Sequence, residues 1–276
     1  MMFISKRLLA FAAIPFVLAG TSSPGWSAVI LGLASPFAVL AGESVTNTGS
    51  SVITGELGVS PGTSVTGFPP GVVVGGTIHL NDGPAIGAYG DFLSAYSTLG
   101  AWPVTQNLTG GTLGVGSLSS LTAGVYEFDS TAQLNGALTL DGGNDPSAQF
   151  IFLIGSALTT ASASSVILTN GADWDNLFWW TGTAATIGAG TQFAGSILAG
   201  SSITFDAGAT IVCGRALAQA SVTLISNVIS TDCQAIPGDD DPTEVPEPAS
   251  LALLGLGFLG LGSLKLARRR REKTSI

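Results

Sequence analysis

Threonine recurs in this chain at intervals that place it on one face of a sheet. Thr159, Thr186, Thr204 and Thr223, with Gln133 before them, lie beside apolar residues such as Leu158, Ala185, Ile203 and Val222. Two residues earlier stand Thr131, Ala157, Ala184, Ser202 and Ser221, all small or hydroxylated. Side chains alternate across a strand, so both sets share the face opposite the apolar residues. Thr carries a hydroxyl and a methyl on one stiff, branched carbon. A grid of such residues, about 7 Å apart along a strand and about 4.8 Å apart between strands, makes and breaks no covalent bond. It can hold a layer of water, the hydroxyls bonding the waters and the methyls limiting the alternatives.

Groups suited to covalent chemistry are few. Between Ser27 and Cys233, Arg215 is the only Lys or Arg, and His79 stands apart from any Ser or Cys signature. A β-helix polysaccharide lyase wants a Lys or Arg base and clustered carboxylates for calcium. Asp173 with Asp175, and Glu127 with Asp129, are pairs at turns or strand ends and read as solvated carboxylates. Arg215 reads as a structural cation at the start of a repeat. Cys213 and Cys233 with one His cannot complete a structural zinc site. The chain therefore reads as a non-enzyme that needs no cofactor. The shortage of cations also argues against nucleic acid, whose phosphates demand clustered Lys and Arg.

Positions 133, 159, 186, 204 and 223 are 26, 27, 18 and 19 residues apart. Each sits in a unit of three short strands, such as Leu177–Trp180, Ala184–Ile187 and the strand that follows. Roughly 20 residues and three strands per unit indicate an all-β solenoid. The longer intervals hold the loops 141–146 and 171–173. With 10% charged residues and 38 glycines, the composition favours strands and turns over helices. Cys213 and Cys233 are one repeat apart, which suits either a disulfide between adjacent coils or two buried thiols.

In chain order, residues 1–28 read as a secretory signal peptide: Lys6-Arg7, an apolar stretch, then small residues. A single domain is expected over 29–236. Its first block, 37–67, places Ser44 and Thr46 where they can join the outward column. One helix is expected at about 84–100, opened by Pro84, with Ile86, Tyr89, Phe92, Leu93, Tyr96 and Leu99 as its packing face. Residues 105–120 read as a Gly, Ser and Thr linker into the repeats. Residues 237–248 form an acidic, proline-rich linker. Residues 249–271 read as a short membrane span with a basic, cytoplasmic end at Lys265 and Arg268–Arg271.

Val245-Pro246-Glu247-Pro248, the apolar run and the Arg cluster together resemble the PEP-CTERM sorting signal of Gram-negative bacteria. That resemblance implies export, transient anchoring in the inner membrane, processing by an exosortase, and delivery to the cell surface or beyond. Exopolysaccharide is a partner it brings into view.

Residues 31–229 resemble the bacterial and fungal ice-binding protein domain. The segments that carry the resemblance include Phe37–Gly42, Ile53–Gly62, Gly67–Gly71, Gly124–Phe128, Phe150–Phe152, Asn176–Trp179 and Gly214–Ala218. It implies a right-handed, discontinuous β-helix of triangular cross-section with one long flanking α-helix, the N-terminal block docked beside C-terminal coils. It implies ice as the partner of one flat face that often carries Thr–Ala/Gly–any–Thr/Asn. Thr183-Ala184-Ala185-Thr186 matches that pattern, and Gln133 departs from the Thr column. The candidate ice-binding residues are Thr131, Ala157, Thr159, Ala184, Thr186, Ser202, Thr204, Ser221 and Thr223. The rival expectation is a matrix or adhesion protein that uses the same solenoid without binding ice.

Overall fold

The computed structural model describes residues 29 and 31–233. The signal peptide, the acidic linker and the membrane segment expected from the sequence lie outside the described residues.

The chain coils three strands at a time. After a short 3-10 turn, the first coil is β1 (Phe37–Ala41), β2 (Ser44–Thr48) and β3 (Val52–Thr54), and the second is β4 (Glu56–Val59), β5 (Ser64–Thr66) and β6 (Val72–Val74). β7 (Ile78–Leu80) begins a third, which gives way to helix α1 (Gly83–Leu99). Coiling resumes with β8 (Gln106–Asn107), β9 (Thr112–Leu113) and β10 (Ser120–Thr122), then β11 (Gly124–Phe128), β12 (Ala132–Leu134) and β13 (Ala137–Asp141). Next come β14 (Phe150–Ile154), β15 (Leu158–Thr160), β16 (Ser165–Thr169), β17 (Leu177–Thr181) and β18 (Ala185–Ile187). The long strands β19 (Gln192–Ala199) and β21 (Thr210–Ala218) each close one coil and open the next, with β20 (Ile203–Phe205) between them. β22 (Ser221–Ile225) and β23 (Val228–Ser230) complete the last coil.

Neighbouring coils pair in parallel. Second strands form an eight-stranded sheet in the order β5-β2-β22-β20-β18-β15-β12-β9. First and third strands form two further stacks, joined into one 15-stranded sheet through the bent strands β19 and β21. The spatial order is discontinuous in sequence. The coils of 37–74 sit on the coil of β21, β22 and β23, not beside the coil that follows them in the chain.

The helix explains how this is done. β7 and β8 lie at opposite ends of the first-strand stack, eight steps or about 38 Å apart at a strand spacing of about 4.8 Å. A helix of 17 residues spans about 25 Å, and the six residues 100–105 supply the rest. The Asp82 carboxylate caps it by accepting from the Ala85 N–H at 3.1 Å.

The packing face of the helix differs from the one expected. Ala85, Ala88, Phe92, Ala95 and Leu99 are buried, whereas Ile86 and Leu93 face solvent at 54% and 38% exposure. Small alanines let the helix lie close to the outer side of Phe37, Leu40, Val125, Ile151, Phe178, Leu198 and Leu217. Tyr89 and Tyr96 are half-buried, and their hydroxyls donate to the carbonyls of Gln219 (3.1 Å) and Thr181 (3.0 Å). Gly42 makes room for Tyr89, because a Cβ there would stand 2.7 Å from the phenol oxygen.

Inside the coils, residues in register stack directly on one another. Tyr126, Phe152 and Trp179 are such partners, with ring centroids 5.4 and 4.0 Å apart, and Phe193 extends the column. The indole N–H of Trp179 donates to the Ala194 carbonyl at 3.0 Å, so this buried aromatic leaves no polar atom unpaired. Residues 105–120 are not a linker: they supply β8, β9 and the first residue of β10, the terminal coil. Its strands are only two or three residues long, with Gly110, Gly111, Gly114 and Gly116 between them, which hid them in the sequence.

Candidate functional site: a hydroxyl-bearing sheet

The eight-stranded sheet sorts its side chains strictly by parity. Ala132 and Leu134, Leu158, Ala185 and Ile187, Ile203 and Phe205, Val222 and Leu224 are buried in the solenoid core. The residues between them point outward. Pairing places Thr112 beside Gln133, then Thr159, Thr186, Thr204, Thr223, Thr46 and Thr66, in one unbroken register. Seven of these eight are Thr. Gln133 and Thr112 stand at one end, Thr46 and Thr66 at the other.

A second outward column precedes the first by two residues. The same register aligns Thr131, Ala157, Ala184, Ser202 and Ser221, and continues into Ser44 and Ser64. Ser44 Oγ donates to Ser221 Oγ at 3.2 Å, across the seam between the two chain pieces. Thr159, Thr186, Thr204, Ser221 and Thr223 lie within the strands of this sheet, and Thr131, Ala157, Ala184 and Ser202 each stand one residue before one of them. Thr112, Thr66 and Ser64 were not picked out from the sequence, although a signal existed. Ser-x-Thr with a β-branched centre occurs four times: Ser44-Val45-Thr46, Ser64-Val65-Thr66, Ser202-Ile203-Thr204 and Ser221-Val222-Thr223. These four strands are neighbours in the sheet.

Continuity across the seam has a specific cause. At the corner after the sheet, the Asn227 N–H donates to Ser51 Oγ at 2.9 Å, and Ser51 Oγ donates in turn to Asn47 Oδ1. Asn227 Nδ2 reaches the carbonyls of Asp206 (2.8 Å) and Ala209 (2.9 Å), and Asn47 Nδ2 reaches that of Gly67 (2.8 Å). Asn47, Ser51 and Asn227 are buried. Buried polar groups demand partners, so this network holds four successive coils in one alignment. It keeps Thr46 and Thr66 in line with Thr223 and Thr204.

No Lys, Arg, Asp, Glu or His occurs in either column; Glu43 and Asp206 flank them at strand ends. The charged groups elsewhere have structural partners. Arg215 is 8% exposed, donates from Nε to the Ser35 carbonyl at 2.7 Å and pairs with Asp175 at 3.2 Å. The Asp173 carboxylate accepts from the Asp175 N–H, and Asn107 Nδ2 donates to both Glu127 and Asp129. His79 lies between Glu56 (3.2 Å) and Asp82 (2.8 Å) at the foot of the helix. The Thr77 N–H, followed by the Thr77 hydroxyl and His79, holds the Glu56 carboxyl below its ordinary range. For Asp82 the His79 hydrogen bond acts first, then the Ala85 N–H. Cys213 and Cys233 are disulfide-bonded, with Cα atoms 4.9 Å apart.

Comparison with known proteins places this geometry in a family. The ice-binding-like family model matches residues 39–230, and the PEP-CTERM protein-sorting motif matches residues 244–271. An ice-binding protein of Nostoc sp. (strain HG1) is 49% identical over 268 residues, covering 96% of each chain. One from Flavobacterium frigoris is 34% identical over 215 residues, 73% of this chain and 76% of that one. The crystal structure of an ice-binding protein from the Antarctic ascomycete Antarctomyces psychrotrophicus superposes with a TM-score of 0.71 at 40% identity. It covers 75% of this chain and 99% of that one. These comparisons lend no support to exopolysaccharide as a partner.

Proposed function

The chain belongs to the ice-binding-like family, and from that premise we propose that it adsorbs to ice through the eight-stranded sheet and restrains ice growth or recrystallisation. The observation that carries this reading is the Thr column, seven Thr among eight registered positions. Thr131, Ala157, Thr159, Ala184, Thr186, Ser202, Thr204, Ser221 and Thr223 are its working residues, extended by Thr112, Ser44, Thr46, Ser64 and Thr66. In this reading the solenoid is right-handed and triangular in section, which presents the sheet as a flat face.

The mechanism is a sum of weak contacts. Spacings of about 4.8 Å and about 7 Å match a water lattice well enough for the hydroxyls to hold its outermost layer. All the strands but the two end ones, β5 and β9, are fixed on both sides by neighbouring coils, so little ordering cost opposes adsorption. Strongly hydrated charges, which would order water differently, stand at the margins. Covalent chemistry has no part in this function. Export and a C-terminal anchoring signal follow from the sorting motif; anchoring is transient in this reading, followed by display at the surface or release.

Partition of the purified protein into slowly growing ice tests the proposal, with a Thr186→Tyr/Thr204→Tyr variant beside it and circular dichroism confirming both folds. Enrichment of the wild type in ice and exclusion of the variant are expected. Exclusion of the wild type would overturn the reading.

A further inference from the structure

The two ends of the solenoid core are finished differently. At the β8–β10 end Leu108, Leu113 and Leu121 are buried. Leu118, on the 3-10 turn Gly116–Leu118, packs against the core there, so close over Gly111 that a Cβ on that residue would stand 2.5 Å from its Cδ1. At the other end Ile78 and Leu80 are in register with the fully buried Leu57 and Val59, and so point into the core. They are nevertheless 40% and 46% exposed, and among the described residues no coil lies over them. Val65 and Val73, in register with the buried Val45 and Ile53, are also only partly covered.

The backbone at this open end is unpaired too. β5, β6 and β7 each have a single neighbour, β2, β3 and β4. The Val72 N–H donates to the Ser51 carbonyl at 2.9 Å and the Val74 carbonyl accepts from the Gly55 N–H at 3.0 Å, so Val73 between them turns its own N–H and carbonyl to the free edge. Ser64–Thr66, Val72–Val74 and Ile78–Leu80 contain no Lys, Pro, Asp or Glu, the residues that ordinarily keep an edge from pairing. Such an end is complementary to itself. Two copies set end to end run their coils in opposite senses, so the edges meet as antiparallel strands with inward residues opposite inward residues. A two-fold axis normal to the hydroxyl sheet brings β5 against the second copy's β5 about Val65, and β6 against the second copy's β7.

We propose that the open end is the contact between two copies of this chain, a closed two-fold dimer in which the two hydroxyl sheets run on as one face. Each edge strand is about 10 Å long, and a three-stranded coil with its corners offers on the order of 500 Å² to a second copy, about 1,000 Å² in all, where specific interfaces begin. The dimer is therefore weak, with a midpoint on the order of 10–100 μM. Below that midpoint the chain is a monomer whose column ends at Thr66. The contact stands apart from the ice-binding reading; its use, a longer face that adsorbs with two-fold valency, rests on that reading.

Sedimentation velocity of the purified protein across that concentration range tests the contact, beside two variants of different kinds. Val73→Pro removes a free-edge N–H without breaking a bond inside the chain, and Leu80→Lys places a charge on the open core; thermal melts check both folds. Wild type should pass from monomer to dimer and stop there, while both variants stay monomeric. Val65→Cys should link to its own copy across the axis on oxidation, in a chain whose edges are otherwise native. A wild type that stays monomeric throughout would overturn the proposal. So would association that persists in both folded variants, which would place the contact elsewhere in the chain, or growth beyond the dimer, which would mean head-to-tail stacking. Partition into ice, scored per chain above and below the midpoint, should rise several-fold with dimerisation in wild type and not in the variants. A dimer without that rise would overturn the shared face, whereas exclusion of wild type from ice at every concentration would defeat the ice-binding reading and leave the dimer standing.

Discussion

Two of the three strand stacks face solvent, and they are built differently. In the hydroxyl sheet one outward column is Thr at seven of eight positions. In the third-strand stack, the corresponding column reads Ala137, Ser165, Gln192, Thr210, Val228, Val52 and Val72, also in continuous register. Beside it, Ser120, Thr139 and Ile167 pair in turn. Strand propensity favours Thr on any solvated sheet, yet both surfaces are parallel sheets on the same solenoid. Propensity alone would enrich them equally. On the reading proposed above, the Thr column answers to ice outside the protein, whereas the third stack answers only to the need for strand formers.

That contrast can be broken most sharply by charge. Thr204→Lys puts a strongly hydrated ammonium amid the ordered column and should lower ice partition more than tenfold, whereas Thr139→Lys should leave it within about twofold. Both are surface changes expected to move stability by only about 0.5 kcal/mol, so thermal melts separate a lost face from a lost fold. A smaller effect is expected at the end of the column. Thr66→Tyr removes one terminal position and should weaken partition a few-fold, less than the same change at Thr204. Smaller still, Gln133→Thr completes the column and should strengthen partition by up to about twofold.

The least effect is expected from pH. Neither column carries a titratable group, so partition into ice should stay flat from about pH 5 to about pH 9. Stability behaves otherwise. Asp82 and Glu56 are depressed carboxyls, so their contribution is fully present above their unfolded pKa values and lost as pH falls through the folded ones. The melting temperature should drop below about pH 4, beginning where β7 meets the helix. A partition that tracked pH while the melt did not would point to a charged site outside the Thr sheet.

The sequence made the hydroxyl sheet legible because parity is a local property: Leu158, Ile203 and Val222 point inward, so Thr159, Thr204 and Thr223 point outward. It made the helix legible as an element but not in orientation. Ile86 and Leu93 looked like core and are exposed, because close approach to the sheet demanded small side chains, and Ala85, Ala88 and Ala95 carry no strong hydropathy signal. The terminal strand β9 escaped notice because Thr112-Leu113 is too short to show alternation. Thr66 escaped because it joins the column only through Thr46, whose other partner, Thr223, is 177 residues away from Thr46 in the chain. Register across a discontinuous seam depends on buried groups such as Asn227 and Ser51, whose partners no periodicity reveals.

The most direct test of the Thr sheet as the ice-facing surface is a matched pair of double variants, scored for partition into growing ice with folds verified. Thr186 and Thr204 are register partners in the hydroxyl sheet, as Thr139 and Ile167 are in the third stack. Thr186→Tyr/Thr204→Tyr should be excluded from ice, and Thr139→Tyr/Ile167→Tyr should enter it as wild type does. Loss of partition in the third-stack pair with retention in the hydroxyl-sheet pair would contradict the account and move the ice-facing surface to the other sheet.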